Sequence, residues 1–142
     1  MNASIFRPLD ETMLVAGQLE PADVEAAAAQ GVTMIVNNRP DGEEAGQPAG
    51  AAIAAAAQAA GVAYRHIPVA GGFTEDQVAA MAQALAGSEG AVLAFCKSGT
   101  RSTFLWALAR SLMGDEAPML IGKAAAAGYD VRPIAGYLRR RG

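Results

Sequence analysis

The sequence predicts an α/β domain with a mainly parallel central sheet flanked by helices, and three observations carry that expectation. Short runs of large apolar residues recur along the chain, at 13–16 (MLVA), 32–36 (VTMIV), 62–69 (VAYRHIPV) and 91–95 (AVLAF). Between them lie stretches of helical length, many of them rich in alanine, a residue that favours helix but adds little buried area. Third, 142 residues at 52% hydrophobic composition lie in the size range of one domain with one core, taken here as residues 1–142.

Each element has its own warrant. The run at 13–16 reads as the first strand. Pro21 then suits the first position of a helix, where its missing N–H costs nothing, and Gly31 lies beyond that helix's end. After the strand at 32–36, Pro48 and Gly61 bracket a second helix in the same way, followed by a strand within 62–69. Thr74 and Gln77 have capping-box spacing, which predicts a third helix running to about Ala86. The strand at 91–95 then enters a turn, and a fourth helix begins near Arg101 or Ser102. Strand and helix alternate throughout, the signature of a parallel sheet covered on its faces.

Composition excludes several classes of function. Eleven Lys+Arg against fourteen Asp+Glu give a formal net charge of −3, which argues against a nucleic-acid binder relying on basic surface. Any anion site must be local. No stretch of about 18 uncharged apolar residues is present to span a membrane. Asp10 and Glu11 fall where the apolar region of a signal peptide would lie. The single cysteine, Cys96, has no partner within the chain for a disulfide. Together these predict a cytoplasmic protein.

The chemistry concentrates in AVLAF-CKSGTR-STFLWALARSLM. An apolar strand delivers Cys96 to its C-terminal edge, the place where α/β sheets bind ligands. Lys97, Ser98, Gly99 and Thr100 turn into a helix whose first N–H groups and dipole favour an anion. The same field, with Arg101 and Lys97, favours a thiolate at Cys96. Gly99 permits a positive φ and a close backbone approach. Ser102 stands where its hydroxyl could donate to the sulfur. A lone cysteine after a strand is commonly a small buried hydrophobe, but this polar, basic, turn-forming neighbourhood is not one a core would choose.

CKSGTRS resembles the active-site loop of single-domain rhodanese-type sulfurtransferases and, more loosely, the cysteine-plus-arginine loop of tyrosine and dual-specificity phosphatases. A wider pattern, VAGQLEPADVEAAAAQGVTMIVNNRPDGEEAGQP, AAGVAYRHIPVAGGFTEDQV, GAVLAFCKSGTRSTFLWAL and AAAAGYD, resembles in order the phosphatase-like domain of the beta-lactamase-hydrolase-like proteins, over roughly residues 5–130. The resemblance implies a dual-specificity-phosphatase type of fold. It also implies a functional link to a metallo-hydrolase or persulfide dioxygenase, to which such domains are fused. The family's activity is described both as phosphatase and as sulfurtransferase, so the likeness leaves the reaction open.

Loop length favours sulfur. Cys96 to Arg101 spans six residues, C-x4-R, one fewer than the C-x5-R of tyrosine phosphatases, and a persulfide offers one outer atom where a phosphate offers three equatorial oxygens. Expelling an alkoxide from a phosphate ester also benefits from a general acid, and the stretch Ala70, Gly71, Gly72, Phe73, where the resemblance places that acid, holds no carboxylate. Asp76 reads as a first-turn helix charge. The first expectation is therefore a sulfurtransferase that moves sulfur from thiosulfate or a small persulfide to a thiol acceptor or cyanide through a Cys96 persulfide, with Arg101 and the loop amides as anion stabilisers. The alternative is a phosphatase acting on phosphate esters through phospho-Cys96, with Asp41, Glu43 or Glu44 as distant acids. A third is a persulfide carrier or anion-binding module without turnover. None of them calls for a cofactor.

The remaining polar residues carry more ordinary expectations. NNRPDGEE follows a strand, so Arg39 could reach the anion site or pair with Glu43 or Glu44, although a turn of solvated charges is the commoner meaning of Asp41-Gly42. His66, with one cysteine, makes no metal-ligand set and reads as packed or hydrogen-bonded. Phe104 and Trp106 face the core. Gly71, Gly72 and Phe73 suggest an open rim, and Arg139 to Arg141 a solvated end or helix-terminal charge.

Overall fold

The structure, a computed structural model, describes residues 5–141, with side chains over 5–138. Five strands form one sheet: β1 (Arg7–Asp10), β2 (Met13–Ala16), β3 (Val32–Asn37), β4 (Ala63–His66) and β5 (Ala91–Phe95), in the order β1-β2-β5-β3-β4. β2, β5, β3 and β4 run parallel, and β1 adds an antiparallel edge. The helices are α1 (Pro21–Ala29), α2 (Gly50–Ala60), α3 (Glu75–Gly87), α4 (Thr100–Leu112), α5 (Ala117–Ala126) and α6 (Ala135–Arg141), with a 3-10 turn at Arg132–Ile134 before the last. Among the described residues, no helix is long and apolar enough to cross a membrane.

Strand periodicity builds two cores, one on each face. Leu93 and Phe95 of β5 and Ile35 of β3 point to a cluster with Val24 and Ala27 of α1 and Ile53 and Ala57 of α2. Val92, Ala94, Met34 and Val36 point the other way, to Val78 and Met81 of α3, Leu105 and Trp106 of α4, Leu120 of α5 and Leu138 of α6. Successive strand side chains alternate between faces, and β5, the middle strand, is apolar on both.

This topology decides where the site lies. The β2-α1-β3 connection leaves a gap that β5 fills, and α1 and α2 cover one face while α3 returns the chain along the other. The C-terminal ends of β2, β3 and β5 therefore lie side by side, the crevice where such sheets bind ligands. Backbone bonds stitch them together there: the Asn38 N–H donates to the Phe95 carbonyl (2.8 Å), the Cys96 N–H to Ala16 (3.4 Å) and the Gln18 N–H to Lys97 (3.3 Å).

Most predicted boundaries hold. α1 opens on Pro21, the Thr74–Gln77 capping box opens α3, and Gly61 closes α2 at φ 75°. α2 departs from expectation by starting at Gly50 instead of Pro48, because the Asp41 carboxylate accepts the Gly50 N–H at 2.7 Å and fixes the first turn there. The strand within 62–69 is regular only over Ala63–His66, since Pro68 has no N–H to continue a ladder. β1 was not anticipated; it contains Pro8, which an edge strand tolerates. Trp106 is fully buried, whereas Phe104 is half-buried and stacks on Phe73 with ring centroids 6.1 Å apart. Arg139 to Arg141 lie in α6, and their side chains fall outside the described residues.

Candidate active site

β5 ends in Cys96, whose side chain is buried. The chain then turns through Lys97 and Ser98 to Gly99, which has φ 92° and precedes the first residue of α4. This reversal lets the Gly99 N–H donate to Cys96 Sγ at 3.1 Å. Any Cβ at Gly99 would run into the hydroxyl of Tyr129, which donates to the Ser98 carbonyl at 3.1 Å. The turn is braced within itself as well: Ser98 Oγ donates to Thr100 Oγ1 at 3.0 Å, and Thr103 Oγ1 donates to the Gly99 carbonyl at 2.8 Å. α4 starts one residue earlier than the sequence suggests, so Arg101 is already in its first turn.

Arg101 reaches back across the sheet end. Its Nη1 donates to the Val69 carbonyl at 2.8 Å, and its Nη1 and Nη2 grip the Glu43 carboxylate at 2.8 and 3.0 Å. This two-pronged geometry is how a guanidinium holds a planar carboxylate or two oxygens of a phosphate. The Glu43 pair, opposed by burial, raises the Arg101 pKa, and electrostatic and hydrogen-bonding interaction with Cys96 adds to the rise. The guanidinium thus joins an anion seat to the sulfur.

The loop after β3 closes the other side. Arg39, 2% exposed, sends Nε to Glu43 (2.8 Å), Nη2 to Glu44 (2.8 Å) and Nη1 to Gln18 (3.0 Å). Burial works against its charge, but the two carboxylates outweigh that and raise its pKa. Glu44 extends the chain of pairs to Lys97 Nζ at 3.0 Å. Glu43, held by Arg101 and then Arg39, has its pKa pulled from 4.5 to about 2, and Glu44 is lowered by Arg39 and Lys97. The expected turn of solvated charges is instead a network anchored on a buried arginine.

Two further expectations change. Ser102 does not serve the sulfur: its hydroxyl donates to Asn38 Oδ1 at 2.8 Å while Asn38 Nδ2 donates to the Ile67 carbonyl at 2.9 Å. One hydroxyl proton cannot do both, so Ser102 ties α4 to the β3 loop. His66 is hydrogen-bonded as expected, its Nε2 lying 3.0 Å from the Arg39 carbonyl. The sequence reading passed over Gln18, Asn38, Val69 and Tyr129, which position Arg39, Ser102, Arg101 and the cysteine turn. None has a motif, and only the pairing of strand ends brings them here.

A parallel sheet whose central strand runs through a cysteine turn into an arginine-bearing helix defines the class: an α/β domain of the tyrosine and dual-specificity phosphatase fold. The tyrosine-phosphatase TpbA of P. aeruginosa, solved in complex with pTyr, is similar in fold, with a TM-score of 0.67 over 96% of this chain and 84% of that one at 18% identity. Within that class, the chain belongs to the beta-lactamase hydrolase-like protein, phosphatase-like domain family, which it matches over residues 5–113. It is 45% identical over 107 residues to a beta-lactamase hydrolase-like protein of Agrobacterium fabrum, covering 75% of this chain and 25% of the relative. The chain thus spans a quarter of that relative's length. A protein of Neisseria meningitidis, provisionally named a phosphatase, is 34% identical in sequence, with a TM-score of 0.84 over 99% of this chain and all of that one (100%).

Proposed function

We propose that the chain, 1–142, is one domain acting as a cysteine-dependent phosphatase on phosphate monoesters. The observation that carries this reading is the Arg101 fork, which grips two carboxylate oxygens at 2.8 and 3.0 Å beside the Cys96 turn. A phosphate monoester seated there presents two oxygens to Arg101. Cys96, as thiolate, attacks phosphorus, the P–O bond to the alcohol breaks, and the departing oxygen takes a proton. Water then attacks the phosphocysteine, releasing inorganic phosphate and restoring the thiolate. The Gly99 amide steadies the sulfur, Lys97, Ser98, Thr100 and Ser102 complete the loop, and Arg39 supports it through Glu43 and Glu44. The reducing cytoplasm suits such a thiolate. Membership of a phosphatase-like family and likeness to the Neisseria protein support the choice.

The test is release of phosphate from p-nitrophenyl phosphate. Turnover is expected from the wild-type chain and should fall by about 10⁴-fold or more in Cys96→Ser, with circular dichroism unchanged. Release that survives this substitution would remove Cys96 from the chemistry.

A second reading rests on the six-residue span from Cys96 to Arg101 and on the lack of a carboxylate in Ala70 to Phe73. In it Cys96 attacks the outer sulfur of thiosulfate, sulfite leaves, and the resulting persulfide passes its sulfur to cyanide or a thiol. Thiocyanate formation from thiosulfate and cyanide, without phosphate release, would select it. Persulfide detected on Cys96 without turnover would select the carrier. The fusion partners implied by the family, a metallo-hydrolase or persulfide dioxygenase, fit these sulfur readings best.

A further inference from the structure

The sheet end holds one carboxylate in a position that neither the fold nor the cysteine motif requires. Glu43 shares its two oxygens between two arginines: Oε2 lies 2.8 Å from Arg101 Nη1, and Oε1 lies 3.0 Å from Arg101 Nη2 and 2.8 Å from Arg39 Nε. An incoming phosphate needs the two Arg101 donors that Glu43 holds. Arg101 does not depend on Glu43 for its placement, because the Val69 carbonyl also accepts from Nη1 at 2.8 Å. Nor does Glu43 leave the site when displaced, because Arg39 is buried and keeps its grip on Oε1.

The other acidic residues are committed elsewhere. Asp41 caps α2 through the Gly50 N–H at 2.7 Å, Glu44 pairs with Arg39 and Lys97, and Asp76 stands in the first turn of α3. Resting on the phosphatase reading, we propose that Glu43 is a further catalytic residue: substrate phosphate displaces it from Arg101, and it then serves as the acid for the leaving oxygen and the base for the attacking water. Displacement removes one stabilising cation and brings a dianion alongside, and both changes raise a carboxylate's proton affinity. In its free state Glu43 is an ionised stand-in for substrate; with substrate bound it takes a proton from solvent.

The steps balance. Protonated Glu43 gives its proton to the ester oxygen as the Cys96–phosphorus bond forms and the phosphorus–oxygen bond breaks, leaving the alcohol and a carboxylate. That carboxylate then accepts a proton from water as the water oxygen bonds to phosphorus. The phosphorus–sulfur bond breaks, and the products are hydrogen phosphate, the thiolate and protonated Glu43. No carboxylate on the loop after β4 is needed.

The experiment compares the wild-type chain with Glu43→Gln on two aryl esters, p-nitrophenyl phosphate with a good leaving group and phenyl phosphate with a poor one. Binding of inorganic phosphate is measured by calorimetry alongside. Glu43→Gln should lower kcat on phenyl phosphate by about 10²-fold, the low end for loss of general acid catalysis, and lower it far less on p-nitrophenyl phosphate. It should also tighten phosphate binding about fivefold, because the internal competitor is gone. Equal losses on both esters, or weaker phosphate binding, would overturn the role of Glu43. If the wild-type chain hydrolyses neither ester, the phosphatase reading itself falls, an outcome distinct from a misassigned acid.

Discussion

The loop after β5 and the loop after β3 meet at one end of the sheet, yet they are held by opposite kinds of bond. From Cys96 to Thr103 the chain satisfies itself: Gly99 donates to Cys96, Ser98 to Thr100 and Thr103 to Gly99. From Asn37 to Glu44 the loop depends on partners far along the sequence, Gln18, Lys97 and Arg101, joined through the buried Arg39. The first is a backbone device with a fixed shape. The second is an electrostatic one, whose shape depends on which charges are present.

The strongest way to break this contrast is Arg39→Met. It should cost about 3 kcal/mol, the low end for breaking a buried ion pair, because Glu43 keeps Arg101 and Glu44 remains half exposed. A denaturant-midpoint shift worth less than about 1 kcal/mol would mean the β3 loop is held by something other than its charges. The corresponding change in the other loop is Gly99→Ala. The positive φ and the approach of Tyr129 predict a loss of about 1–3 kcal/mol. Tyr129→Phe in the same chain should recover part of it, leaving the backbone strain.

Acid should sharpen the contrast further. The Glu43 pKa falls from 4.5 to about 2 on folding, so its contribution to stability is complete above pH 4.5 and is lost as pH drops through about 2. The difference in thermal midpoint between the wild-type chain and Glu43→Gln should shrink over that window, and a pH-independent difference would contradict the assignment. Smallest of all, Glu44→Gln should leave the midpoint almost unmoved, since its pair with Lys97 joins two side chains that are 51% and 59% exposed.

The same contrast explains what the sequence could disclose. The strand runs, Pro21, the Thr74–Gln77 box and the positive φ of Gly99 are local signals, decided within a few residues, and the structure reproduces them. The strand order was not spelled out residue by residue, although a sheet with helices on both faces was expected. β1 escaped notice because a four-residue edge strand carrying Pro8 has no apolar pattern of its own. At the site, Cys96 and Arg101 stood out because their turn is contiguous. The pairing of Ser102 with Asn38, and of Arg101 with Glu43, lies across 64 and 58 residues, beyond any periodicity. Asp41-Gly42 misled for a related reason: it is indeed a turn, but one whose carboxylate caps the following helix.

Cys96 is the sole thiol in a sequence of 142 residues. Peroxide that reached it would form a sulfenic acid with no neighbouring cysteine to resolve it as a disulfide, so recovery would depend on a thiol borrowed from another molecule. Where that reductant is scarce, the sulfur would advance to the sulfinic state, and a brief oxidative episode would become lasting inactivation.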